Sequence, residues 1–107
     1  MPYDLCKELK NAGFPQEESG KYYDKTGKYV LIAHEEHNKD IMGAYIPTLS
    51  ELIEACGDGF RYLLRGNEGS WEAAEGTLIG KHHFSVSCGT PEEAVARLYL
   101  ALQANKL

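Results

Sequence analysis

The sequence predicts an α+β fold: three helices over an antiparallel sheet of four or five strands, in the order α-β-β-α-β-β-β-α. Three observations carry that expectation. Thr48-Leu49-Ser50-Glu51 and Thr90-Pro91-Glu92-Glu93 have the Thr-x-x-Glu form of a capping box, in which the threonine and glutamate satisfy free amides at a helix start. Segments such as Phe60 to Arg65 and His82 to Cys88 alternate with the two-residue period of a half-buried strand. Short turns join those segments, so sequence neighbours should pair antiparallel. A chain of 107 residues buries enough surface for one core, so residues 1–107 read as a single α+β domain.

The first helix is expected from Tyr3 to Ala12, with Leu5, Cys6, Leu9 and Ala12 on one side and Gly13 ending it. Tyr22-Tyr23 and Lys28 to Ala33 then flank Asp24-Lys25-Thr26-Gly27, the pattern of a hairpin. His34 to Asp40 reads as a polar loop, and Ile41 to Ile46 fits either strand or loop. The helix opened at Thr48 turns Leu49, Leu52, Ile53 and Cys56 inward and stops at Gly57. In the next strand Phe60, Tyr62 and Leu64 alternate with Arg61, Leu63 and Arg65; Gly66 to Gly69 forms a turn. Ser70 to Ala74 returns with Trp71 and Ala73 on one face, and His82, Phe84, Val86 and Cys88 alternate with His83, Ser85 and Ser87 in the last strand. The final helix, about Pro91 to Ala104, carries Ala94, Val95, Leu98, Tyr99, Ala101 and Leu102 as an apolar face, with Pro91 at its first position.

Composition narrows the function classes. With 43% apolar and 25% charged residues the chain belongs with globular rather than disordered proteins. No apolar run approaches the roughly 20 residues of a spanning helix, and Met1 to Lys7 lacks the pattern of a secretion signal. A net charge of −5, with lysines and arginines scattered among acids, argues against a phosphate-gripping nucleic-acid surface and against an anionic membrane. Cys6, Cys56 and Cys88 are three widely spaced cysteines, unsuited to a disulfide framework or a close-pair zinc site, and they read as reduced thiols. Cys88 stands just before a helix start, where the dipole favours a thiolate, but no histidine or second cysteine is adjacent.

Enzyme signatures are absent. The chain has no phosphate-binding Gly-x-x-x-x-Gly-Lys, no Gly-x-Ser-x-Gly turn and no Gly-x-Gly-x-x-Gly. The carboxylate pairs Glu17-Glu18, Glu35-Glu36 and Glu92-Glu93 are sequence neighbours, which diverge in either secondary structure. No catalysis and no cofactor are expected. His34-Glu35-Glu36-His37 is the most chemical-looking stretch, but its histidines stand one residue closer than those of the zinc-protease pattern. It reads first as a solvated acidic loop, with His34 and His37 as metal ligands the alternative.

Aromatic residues suggest a surface instead. Tyr22, Tyr23 and Tyr29 cluster on the predicted hairpin, where alternation turns one tyrosine away from the core, a mark of a protein partner or a dimer. Trp71 reads as core, opposite Phe60 or Tyr62. A small-molecule, nucleotide-like ligand would instead call on Arg61, Arg65 and Lys81 converging on a pocket.

Two resemblances add to this reading. The stretch from Thr48 to Leu107, α-β-β-β-α with a capped closing helix, resembles the double-stranded-RNA-binding domain in topology. Where that family grips phosphates with lysines, this chain carries Glu92 and Glu93, so the likeness implies shape rather than RNA binding. Pro47 to Gly57 (PTLSELIEACG) and Thr90 to Leu102 (TPEEAVARLYLAL), with Leu9 to Gln16 (LKNAGFPQ), resemble small uncharacterised proteins of phages and prophages. That resemblance implies a small α/β sandwich-type domain in the cytoplasm of a bacterial host, and it brings no catalytic residues. The expectation is a non-enzymatic accessory protein that binds a protein partner or itself.

Overall fold

A computed structural model describes residues 1–17, 19–33, 41–76 and 83–104. The chain divides into two compact units, Met1–Pro47 and Thr48–Leu107. The architecture is α+β, with three helices and two three-stranded antiparallel sheets among the described residues. The sequence predicts one sheet of four or five strands; among the described residues six strands instead form two groups, one within each unit, because each pairs there with partners inside its own hairpin or meander.

The first unit begins with α1 (Tyr3–Asn11), which buries Leu5, Cys6 and Leu9 at helical spacing. Gly13, at φ +94°, turns the chain away. Strands β1 (Gly20–Asp24), β2 (Val30–Ala33) and β3 (Met42–Ile46) follow, in the order β2-β1-β3. Ile41 to Ile46, open between strand and loop in the sequence, therefore contributes a strand: Tyr45 stands opposite Tyr22 and Ile46 opposite Lys21. Their rings explain the choice, since Tyr22 and Tyr45 pack with centroids 5.2 Å apart, a gain available only across strands. Helix α1 packs on β3.

The second unit runs α2 (Leu49–Cys56), a 3-10 turn (Gly57–Gly59), β4 (Phe60–Arg65), a 3-10 turn (Asn67–Gly69), β5 (Trp71–Gly76), β6 (His83–Cys88) and α3 (Pro91–Ala104). Its sheet is the meander β4-β5-β6. The capping box at Thr48 is complete: the Glu51 amide donates to Thr48 Oγ1 at 3.2 Å and the Thr48 amide to Glu51 Oε1 at 2.9 Å. At the start of α3, the Glu93 amide donates to Thr90 Oγ1 at 3.2 Å. Helix α3 packs on β5, β6 and α2, burying Ala94, Val95, Ala96, Leu98 and Tyr99 around Leu52 and Ala73.

Simple alternation fails in β4. Phe60 pairs with Glu75 but Tyr62 pairs with Ala74, so two residues stand where one would, a β-bulge. The bulge flips the faces beyond it. Leu63 joins Phe60 on the side of Ala73, while Tyr62 and Leu64, expected to share a face with Phe60, turn outward. Trp71 stands opposite Arg65 and Cys88 rather than Phe60 or Tyr62.

Candidate functional site

The hairpin tyrosines separate into three environments. Tyr22 is buried and donates its hydroxyl to the Glu17 carbonyl; burial, and then Glu17, raise its phenol pKa. Tyr23 faces the other way, its ring edge-on to Tyr3 at 5.4 Å and its hydroxyl donated to the Met1 carbonyl. The exposed member is Tyr29, at 66%. Beside it Val30 and Ile32, 54% and 59% exposed, stand opposite Tyr23 and Lys21 on one face of β2. Strand β2 is an edge: among the described residues its sheet partner is β1 alone. The outward-facing surface of the hairpin is thus Tyr29, Val30 and Ile32, while Tyr22 belongs to the core.

The turn before β2 is fixed by Asp24. Its carboxylate accepts from Thr26 Oγ1 at 2.8 Å and from the amides of Lys28 and Tyr29 at 3.1 and 3.4 Å. Slight desolvation raises its pKa, but these hydrogen bonds outweigh it and hold the carboxyl below its usual value. Gly27, at φ +77°, closes the turn directly under the Tyr3 ring.

On the α1 side of the same unit a cleft of about 210 Å³ opens between the helix, this turn and β3. Lys7, Lys10, Lys25, Tyr3 and Asn11 line it, with Met42, Gly43 and Ala44 as its β3 wall. Lys10 Nζ donates to the Gly43 carbonyl at 2.9 Å, Tyr3 donates its hydroxyl to the Lys25 carbonyl at 2.9 Å, and Lys7 Nζ lies 5.3 Å from the Tyr3 ring centroid. Sequence reasoning missed this grouping because Lys25 is distant in sequence from the other two. The one available signal was Lys7 and Lys10, three apart and hence neighbours on a helix surface.

Arg61 and Arg65 sit toward opposite ends of β4, about 13 Å apart along a strand. Arg61 Nε donates to the Gly76 carbonyl at 3.0 Å, and Arg65 stands opposite Trp71. The structure does not bring the two arginines together; Lys81, the third member of that group, lies outside the described residues, as do His34 and His37. Among the described residues no group of three His, Cys, Asp or Glu is placed to hold a metal, and no helix is long and apolar enough to cross a membrane.

All three cysteines are free. Burial pushes the Cys6 thiol up to about 11 against the opposing positive N-terminus, and it pushes Cys56 to about 11 with Glu75 adding to the effect. Cys88 also titrates high, through burial and then Glu93, with Arg97 opposing. Its position before a helix start does not favour the thiolate, because burial, and then Glu93 at that start, outweigh the dipole.

Comparison with protein-family models, with curated proteins and with solved structures finds no significant match to this chain.

Proposed function

We propose that this chain is a small accessory protein of the phage and prophage type, working in the cytoplasm of a bacterial host, and that it acts by association rather than catalysis. The observation that carries the reading is the β2 edge, where Tyr29, Val30 and Ile32 are exposed on a strand whose sheet partner among the described residues is β1 alone. Such an edge is a template for a further strand. The occupant proposed is the β2 of a second copy. Val30-Leu31-Ile32-Ala33 carries no charge, so two copies can pair antiparallel about a two-fold axis without like charges meeting. An uncharged edge adds no like-charge contact between two copies of a chain whose net charge is −5. The α-β-β-β-α order and meander sheet of the second unit support a shared topology with the double-stranded-RNA-binding domain, while Glu92 and Glu93 at the start of α3 disfavour its use on RNA.

Native mass spectrometry and sedimentation test this reading. A dimer is expected, and Ile32→Lys should convert it to a monomer with an unchanged fold, since Ile32 is already 59% exposed. Removing one buried isoleucine from each copy costs about 3 kcal/mol in total, roughly 100-fold in dissociation constant. A wild-type chain that stays monomeric at high micromolar concentration defeats self-association. A dimer untouched by Ile32→Lys places the interface elsewhere.

A further inference from the structure

The lysine-lined cleft of the first unit is separate from the β2 edge and needs its own explanation. Lys7, Lys10 and Lys25 are three of the 11 basic residues in a chain of net charge −5, and among the described residues no carboxylate lines the cleft. Asp4 and Glu8, the acids of α1 nearest in sequence, are not part of the lining. Three lysines lining one cleft make it a basic patch on an acidic chain, and such a patch attracts an anion.

The cleft is also braced. An ideal Cβ at Gly27 would lie 2.6 Å from Tyr3 Cγ, and one at Gly43 would lie 2.6 Å from the Asp24 carbonyl oxygen. Only glycine at these two positions lets α1 settle against the turn and lets β3 approach β1. The same approach brings Lys25 of the turn to the lysines of the helix. Lys10 is then oriented by its bond to the Gly43 carbonyl, which leaves two of its three ammonium protons for a ligand. Lys7 lies within cation–π reach of a Tyr3 ring that is itself held by the Lys25 carbonyl. Asn11 adds an amide donor to the lining.

We propose that Lys7, Lys10 and Lys25 form a binding site for a phosphate dianion, either free or as the monoester head of a small phosphorylated metabolite. The cleft volume of about 210 Å³ falls below the roughly 300–1,000 Å³ of pockets that enclose drug-sized ligands. It therefore takes a head group and leaves the remainder of a larger molecule outside. Three cations match a dianion better than a single carboxylate, and lysines hold phosphate as point charges without demanding a planar fork. The site is formed by α1 and the Asp24–Gly27 turn, not by Arg61, Arg65 and Lys81, the residues on which the sequence placed a small-molecule ligand.

The test is a titration of isotope-labelled protein with sodium phosphate, followed by amide NMR, against sodium chloride at equal ionic strength. Saturable shifts are expected at Lys7, Lys10, Lys25, Gly43 and Ala44 with phosphate and not with chloride. Lys7→Gln and Lys25→Gln should each weaken binding about fivefold. Lys21→Gln, an exposed lysine of β1 outside the lining, should leave it unchanged, and a retained amide spectrum shows that each variant folds. Shifts that rise linearly without saturating, or that Lys21→Gln reduces as much as Lys25→Gln does, overturn the proposal. Ribose 5-phosphate separates the sources: binding tighter than inorganic phosphate identifies a phosphorylated metabolite, and equal binding identifies phosphate alone.

Discussion

Replacing Gly27 by alanine isolates how α1 is fastened to the hairpin turn. Two penalties fall on this residue. Its φ of +77° lies in the left-handed region, which costs a residue with a Cβ about 1 kcal/mol. The new Cβ would also stand 2.6 Å from Tyr3 Cγ and 2.7 Å from Cε2, an overlap relieved only by moving the ring off the turn. Overpacking of that kind costs about 2 kcal/mol, for a total near 3 kcal/mol. Gly13 supplies the comparison, because its φ of +94° is similar in kind but a Cβ there meets nothing within 4 Å. Gly13→Ala should therefore lose only the backbone part, about 1 kcal/mol. The assay is urea denaturation followed by amide resonances of Met1–Pro47, which keeps the readout on the unit that carries both glycines. In a Tyr3→Ala background the overlap is gone, so Gly27→Ala should cost no more than Gly13→Ala. Equal losses for Gly13→Ala and Gly27→Ala in the parent chain, or an undiminished Gly27→Ala loss without the Tyr3 ring, would refute the packing argument.

Two further predictions concern the second unit and the thiols. Thr48→Ala removes the acceptor of the Glu51 amide and should destabilise the second unit by about 1 kcal/mol, whereas Thr48→Ser should restore most of that in the same denaturation experiment. Cys6 and Cys56, both titrating near 11, should react with a thiol reagent at pH 8 far more slowly than they do in urea. The sign of their effect on stability follows from the raised values. Stabilisation by the buried neutral thiols is fully present below the ordinary thiol pKa of 9.0 and is lost as pH rises from there through about 11. Serine at both positions should flatten that alkaline decline in pH-dependent melting; a decline of the same slope would assign it to other groups.

Helix positions were legible in the sequence because their determinants are local. Thr48 and Glu51 are three residues apart and need nothing distant to form a capping box, and Leu5, Cys6 and Leu9 mark their buried face by spacing alone. The hairpin around Asp24 was equally local, since one carboxylate and Gly27 specify the turn. Partner choice among strands was not. Met42–Ile46 joins β1 because Tyr45 meets Tyr22 across the sheet, a contact between residues 23 positions apart that no window on the sequence contains. The bulge at Arg61 had the same consequence on a smaller scale: one extra residue reversed the faces of Tyr62 and Leu64 while leaving their alternating pattern intact on paper.

The candidate sites divide along the same line. That an exposed tyrosine marks the hairpin follows from alternation, but which of Tyr22, Tyr23 and Tyr29 is exposed depends on where the Glu17 and Met1 carbonyls lie to receive the other two hydroxyls. The cleft of Lys7, Lys10 and Lys25 depends on Gly27 and Gly43 allowing backbone and ring to approach, a condition set by the packing of α1. Helices, turns, charge balance and the lack of familiar catalytic motifs could be read along the chain, because each rests on nearest neighbours or on composition. The grouping of the described strands into two sheets and the cleft lined by three lysines came from the folded chain, because they depend on contacts between segments distant in sequence.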